Sequence, residues 1–109
     1  MLSKKDQLYK NKAPKITQHE RSYLEWLQHL YVGCFHCGGH NMIEWHHIKE
    51  RSTDKKNHTA LLPLCKECHT GNKFSPHGTP RKWREVYPIE VQNIAGSIIY
   101  GKFQDENIV

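Results

Sequence analysis

The chain has 109 residues, a formal net charge of +5 and a sequence pI of about 9.1. So short a chain forms one domain with a thin core, and domains of this size often depend on a bound metal or on disulfides. The lysine-rich start lacks the apolar segment of a secretory signal, and no apolar run approaches the roughly 18 residues of a membrane span. We therefore expect a cytoplasmic protein with no membrane partner.

Basic residues are concentrated in two segments of the chain. Residues 1–15 contain five lysines and one aspartate, and residues 49–84 contain nine basic and three acidic residues. The second segment surrounds most of the central histidines. An excess of this kind favours binding to a polyanion, most simply nucleic acid, although a merely solubilising surface is the alternative.

The helix signals are strongest at the two ends of the chain. We interpret residues 1–16 as a flexible basic arm and residues 17–109 as a single domain. Thr17 and Glu20 have the spacing of a capping box, which predicts a helix over 17–31. Thr79-Pro80 predicts a new helical start, and a last helix is expected from about Pro88 to Gly101. The residues expected on the buried faces are Tyr23, Leu24, Leu27, Leu30 and Tyr31 in the first helix, and Val91, Ile94, Ala95, Ile98 and Ile99 in the last.

The middle of the chain predicts an α+β fold. Asn41 to Ile48 and Leu61 to Leu64 have the composition of short strands, and a short helix should begin at Cys65. A Cys-rich turn, a hairpin and a helix in this order are typical of a treble-clef or ββα-metal module. We place that core module at 33–78, with flanking helices at 17–31 and about 79–101.

Four cysteines form two Cys-x-x-Cys pairs, which are a typical ligand set for tetrahedral zinc. Two disulfides are the alternative. Paired spacing without a secretory signal favours a structural zinc ion. The predicted ligands are Cys34, Cys37, Cys65 and Cys68.

Five histidines lie within 32 residues, at positions 46, 47, 58, 69 and 77. Hydrolysis of a phosphodiester requires a base for water, a cation for the developing charge and basic groups for the backbone. Histidine suits the first role at neutral pH and also binds borderline metals. The candidate DNA-binding residues are Lys49, Arg51, Lys73, Arg81, Lys82 and Arg84.

Several short motifs resemble those of HNH endonucleases, and more narrowly of the phage recombination-enhancement, RecA-dependent nucleases. The resemblance covers roughly residues 34–87 and is carried by the order of the motifs Trp45-His46-His47-Ile48, Asn57-His58, Leu62-Pro63-Leu64-Cys65-Lys66-Glu67-Cys68-His69-Thr70-Gly71 and Ser75-Pro76-His77-Gly78. It implies a ββα-metal fold that cleaves DNA with magnesium, manganese or zinc in a bacterial host cell. It also implies a RecA-type recombinase filament as a partner.

The same resemblance assigns roles to the histidines. It implies that His47 is the general base and that His46, His69 and His77 hold the catalytic metal. His58 occupies a position where many HNH members carry Asn or Asp, so it either orients the base or contacts the metal.

Some alternatives stay open at the level of sequence. His46 and His47 point to opposite faces of a regular strand, so one of them could be structural. His69 could replace a cysteine on the zinc, His77 could be a surface residue, and Trp83 could stack on a base or pack in the core. A non-catalytic zinc module that binds nucleic acid, and a zinc-containing protein-interaction domain, are the competing functions.

Overall fold

A computed structural model describes residues 16–51 and 54–107. The predicted basic arm lies outside the described residues except for Ile16. The fold is α+β, as expected, with a two-stranded sheet and helices before and after it. In chain order the elements are α1 (Gln18–Gln28), β1 (Ile43–His47), β2 (Leu61–Cys65), α2 (Lys66–Thr70), α3 (Pro80–Val86) and α4 (Ile89–Glu106).

The two strands form an antiparallel pair in which Ile43 lies opposite Cys65 and His47 opposite Leu61. Strand β2 is buried along four of its five residues, whereas every residue of β1 is half-buried. The apolar sequence of β2 is therefore explained by its position between the sheet partner and the helices. The mixed sequence of β1 is explained by its position beside a cleft, described below.

Helix α1 begins with the predicted capping box. The Thr17 hydroxyl accepts a hydrogen bond from the Glu20 backbone N–H at 3.0 Å, and the Glu20 carboxylate accepts one from the Thr17 N–H at 2.9 Å. The helix ends at Gln28, three residues before the predicted Tyr31. The prediction that Tyr31 is buried is wrong: its side chain is 85% exposed and stacks on His40 with ring centroids 4.3 Å apart.

The predicted buried face of the last helix is wrong for three of its five residues, whereas Ile99 packs against the core and Ala95 is half-buried. Val91, Ile94 and Ile98 are exposed, and α4 faces the core through Gln92, Gly96 and Phe103 instead. Gly96 explains why this side of α4 faces the core, because a Cβ at position 96 would lie 2.9 Å from Ile48 Cδ1. The helix can approach the sheet closely only along the glycine side. It also continues past Gly101 to Glu106.

Two apolar clusters hold these elements together. One joins α1, β2 and α4 through Tyr23, Leu27, Leu61 and Phe103. The other contains Trp83 of α3, which is 2% exposed and packs among the cysteines and Phe74. Trp83 therefore packs in the core, which was one of the two roles considered for it. Of the helices in the described residues, none combines the length and the apolarity required to cross a bilayer.

Candidate metal centres

The four cysteine thiols converge at one end of the sheet. Cys34 and Cys37 belong to the turn before β1, Cys65 ends β2, and Cys68 lies in α2. Their sulfur atoms all lie within 4.8 Å of one another, and Cys37 Sγ is 3.8 Å from Cys65 Sγ. Tetrahedral zinc with zinc–sulfur bonds of about 2.3 Å requires sulfur–sulfur separations of about 3.8 Å. The four thiols thus form a cluster that could bind zinc.

The thiols are free, so the disulfide alternative is not observed. Burial acts to raise the pKa of the Cys34 thiol, but backbone N–H groups of Cys37, Cys65 and His36 lower it to about 7. Burial raises the pKa of the Cys68 thiol. A divalent cation among the four sulfurs would reverse that effect, since a coordinating thiol is deprotonated outright.

A second cluster lies on one face of β1 and contains His46, His69 and His77. His69 Nε2 is 3.3 Å from His46 Nδ1 and 3.1 Å from His77 Nε2. Three imidazoles on one tetrahedral ion, with metal–nitrogen bonds of about 2.0 to 2.1 Å, require nitrogen separations of about 3.3 Å. Three protein ligands leave a fourth position for water or substrate, which is the pattern of catalytic rather than structural sites.

The loop after α2 positions His77. Buried Ser75 donates a hydrogen bond to the Gly71 carbonyl at 2.7 Å and accepts one from the Gly78 N–H at 2.7 Å. A Cβ at Gly78 would lie 2.1 Å from the Gly71 oxygen, so the closed loop requires glycine there. This closure returns the chain to α2 and brings His77 beside His69. His77 is exposed, as the surface alternative expected. Its ring nevertheless faces the rings of His46 and His69.

Glu44 was not identified from the sequence, yet it contacts the histidine cluster. Its carboxylate lies 2.9 Å from His69 Nδ1. Because a carboxylate can only accept, the His69 proton is held on Nδ1 and the Nε2 lone pair points towards His46 and His77. The available signal was strand alternation, which places Glu44 and His46 on the same face.

His47 and His58 form a separate pair. His47 Nε2 lies 3.2 Å from His58 Nδ1, and neither residue belongs to the three-histidine cluster. Neighbouring His46 and His47 thus point to opposite sides of β1, as strand geometry requires. Both nevertheless line one cleft of about 410 Å³, and His47 is the last residue of the strand.

Burial favours the neutral form of three histidines that line the cleft. The pKa of His46 is lowered to about 3 by burial and by the neighbouring His69 and His77. The pKa of His47 is lowered to about 4 by burial and by His58. Burial, together with His69, also lowers the pKa of His77. At neutral pH these imidazoles therefore carry the lone pairs that bind a metal or accept a proton.

The predicted DNA-binding residues are not all at this cleft. Lys49, Arg51 and Arg84 line it, and so does Lys56, which was missed. Arg51 is paired with Asp54 at 3.1 Å. Lys73 lines a different recess beside Cys65, while Arg81 and Lys82 are exposed on α3 outside the cleft lining.

Comparison with known proteins finds no matching family model, no similar curated protein and no similar solved structure. The assignment of function to this cleft therefore rests on its own residues and on the motif resemblance described above.

Proposed function

We propose that the chain is a metal-dependent DNA endonuclease of the HNH type, with a structural zinc ion at the four cysteines. One observation carries the proposal: three mutually facing histidines line a single cleft together with His47, which is paired with His58, and with several basic side chains. A module that only binds nucleic acid requires neither arrangement. The three-histidine set fits a divalent cation with an open coordination position.

His47 is the general base of the proposed reaction. If His47 Nε2–H donates to His58 Nδ1, the Nδ1 atom of His47 is left unprotonated and free to accept a proton from water. Its lowered pKa ensures that the ring is neutral at pH 7. A phosphate bound in the cleft would raise that pKa towards neutrality, because an adjacent negative charge favours the imidazolium. His58 acts as a positioning residue that fixes the tautomer of His47.

His46, His69 and His77 would hold the catalytic cation, and Glu44 orients His69 within that set. When bound, manganese or zinc would polarise the phosphodiester and stabilise the departing oxygen, whereas magnesium prefers oxygen ligands to a set of three imidazoles. His77 is exposed and lines the cleft, so a cation could reach this set from solvent.

Basic side chains around the cleft would hold the DNA backbone. Lys49, Lys56 and Arg84 come from different parts of the chain and line the same cleft. Phosphate contacts of this kind position a duplex without reading its sequence. By resemblance alone, a RecA-type filament in a bacterial cytoplasm would supply the DNA substrate.

The test is plasmid cleavage with magnesium, manganese or zinc by wild type, His47→Ala and the control His29→Ala, which alters an exposed histidine outside both clusters. His47→Ala should lower the rate about 100- to 10,000-fold while metal and DNA binding persist. His29→Ala should cleave like wild type. If wild type cleaves no form of DNA with any metal, the chain is a zinc-containing binding module instead.

A further inference from the structure

Gln92 is a buried polar side chain that lines the histidine cleft and has no part in the proposed hydrolysis. It lies near the start of α4 and is only 3% exposed. Its Nε2 donates a hydrogen bond to the Tyr87 carbonyl at 2.8 Å. Because a carbonyl oxygen can only accept, this contact determines which branch of the amide carries the nitrogen. The amide of Gln92 therefore has one orientation, with Oε1 on the branch that faces away from Tyr87.

The oxygen of this amide is open to the cleft. Gln92 Oε1 has no hydrogen-bond partner within residues 16–51 and 54–107. The fully buried side-chain atoms that lack a partner in those residues belong to Tyr23 and Trp83, so Gln92 Oε1 is not fully buried. The small exposed part of Gln92 thus includes Oε1, and the space beside it is the cleft that the residue lines. An acceptor in such a position is satisfied by water or by a ligand.

The cleft has apolar walls as well as histidines and basic side chains. Pro76, Pro80 and Trp83 line it, and Trp83 Nε1–H is a second polar group without a partner in the described part of the chain. Apolar walls with a few oriented polar groups are typical of ligand sites, whose volumes start at about 300 Å³. The cleft, at about 410 Å³, is at the small end of that range. A nucleobase has matching properties, since its faces stack on apolar side chains and its edge forms hydrogen bonds.

We propose that Gln92 is a specificity-determining residue, whose amide oxygen accepts a hydrogen bond from the amino group of a nucleobase next to the cleaved phosphodiester. This inference rests on the proposed nuclease function. Arg84 lines the same cleft and supplies a cation for the phosphate of that nucleotide. Adenine and cytosine carry an amino group where guanine and thymine carry a carbonyl oxygen, which cannot donate to Oε1. The cleft should therefore favour adenine or cytosine.

Two matched DNA substrates test the proposal. In one the cleaved strand contains adenine, and in the other every adenine is replaced by purine, which lacks only the 6-amino group. Both are used in the form, single-stranded or duplex, that the full-length wild type binds best. Fluorescence anisotropy without added manganese measures affinity, and cleavage with manganese measures kcat/KM. Wild type should prefer the adenine substrate by about two- to tenfold in both measurements, which is the contribution of one neutral hydrogen bond.

Variants assign this preference to the amide oxygen. Gln92→Met removes the acceptor and should bring the ratio of the two affinities to about one. Gln92→Glu keeps an acceptor and should keep the preference, although it also loses the bond to Tyr87. Gln104→Met alters an exposed glutamine of the same helix and should match wild type. The thermal midpoint shows whether each variant is folded, and a purely structural loss at Gln92 would weaken binding of both substrates equally.

The outcomes separate this inference from the proposed function. Wild type that cleaves DNA but treats adenine and purine alike overturns the role of Gln92 and leaves the nuclease standing. A preference that persists in Gln92→Met also overturns it, because another residue then contacts the base. Wild type that cleaves nothing, yet binds the adenine substrate more tightly in a manner that depends on Gln92, supports the contact and overturns the nuclease.

Discussion

Glu44 accepts a hydrogen bond from Nδ1 of His69 at 2.9 Å, and Nε2 of the same ring faces both His46 and His77. The carboxylate thus determines which nitrogen of His69 is available as a ligand. Partners of this kind raise ligand basicity and fix the ring orientation.

Changes at Glu44 should weaken metal binding in a graded way. Glu44→Ala should lower the affinity of the histidine cluster for manganese or zinc by about 10- to 100-fold, and Glu44→Gln should lower it less because the amide oxygen still accepts. Calorimetric titration of the zinc-loaded protein measures this second ion. Glu25→Gln, on the exposed side of α1, is the control. Equal affinities of Glu44→Ala and wild type would show that His69 needs no partner.

Substitutions at His58 should separate orientation from metal binding. His58→Asn retains an acceptor that can face His47 Nε2–H, so cleavage should fall less than in His58→Ala, which leaves the base without its partner. A loss of about 10- to 1,000-fold is expected for alanine relative to asparagine, within the range of a general-base contribution. Manganese affinity should be the same in both. If His58→Ala instead needs more metal and excess metal restores its rate, His58 is a ligand.

If the chain binds DNA as proposed, the salt dependence of binding should identify the basic residues that face the DNA. Each phosphate contact contributes roughly −0.9 to the slope of log affinity against log salt for duplex DNA. Changing Lys49, Lys56 and Arg84 to alanine should flatten the slope by roughly 2 to 3. The matched triple change of Lys73, Arg81 and Lys82, all outside the cleft lining, should have a smaller effect. The reverse order would place DNA on the outer face of α3.

Tyr23 should make the protein sensitive to alkali. Its side chain is fully buried, its hydroxyl has no hydrogen-bond partner within the described residues, and burial raises its pKa to about 12. The folded state therefore favours the protonated phenol. This stabilisation is complete below the unfolded pKa of about 10 and is lost as the pH rises through about 12.

Tyr23→Phe tests this sensitivity. The change should raise the free energy of unfolding by up to about 1 kcal/mol at pH 7, because an unpaired buried hydroxyl is removed. It should also flatten the decline in stability between about pH 10 and 12. Urea denaturation at several pH values measures both effects. Tyr31→Phe alters an exposed ring and should match wild type; a destabilised Tyr23→Phe would reveal a missing partner.

Local chemistry made parts of the fold predictable. The capping box, the Cys-x-x-Cys pairs and the hairpin strands each depend on neighbouring residues, so their positions could be read within a few residues. The buried side of α4 could not, because apolar residues occur around the helix and a single glycine decides which side approaches the sheet. Tyr31 was misassigned because α1 ends early, and its periodicity no longer applies beyond Gln28.

Some features of the candidate site could likewise be predicted from the sequence, and others could not. Strand alternation predicted that His46 and His47 diverge, and the structure gives each its own partners. The roles of Glu44 and Lys56 depend on contacts between segments far apart in sequence, which no local pattern encodes. The separation of Lys73 from the cleft likewise depends on the direction in which the chain leaves α2.

Cys68 and His69 are adjacent in the five-residue helix α2, yet one belongs to the thiol cluster and the other to the histidine cluster. If both clusters bind metal as proposed, an ion held by either group would order the helix that supplies a ligand to the other. Thermodynamic reciprocity then requires that each ion tightens the retention of its neighbour by the same factor. Removal of the ion from the thiol cluster should therefore weaken metal binding at the histidine cluster, although the two clusters share no ligand.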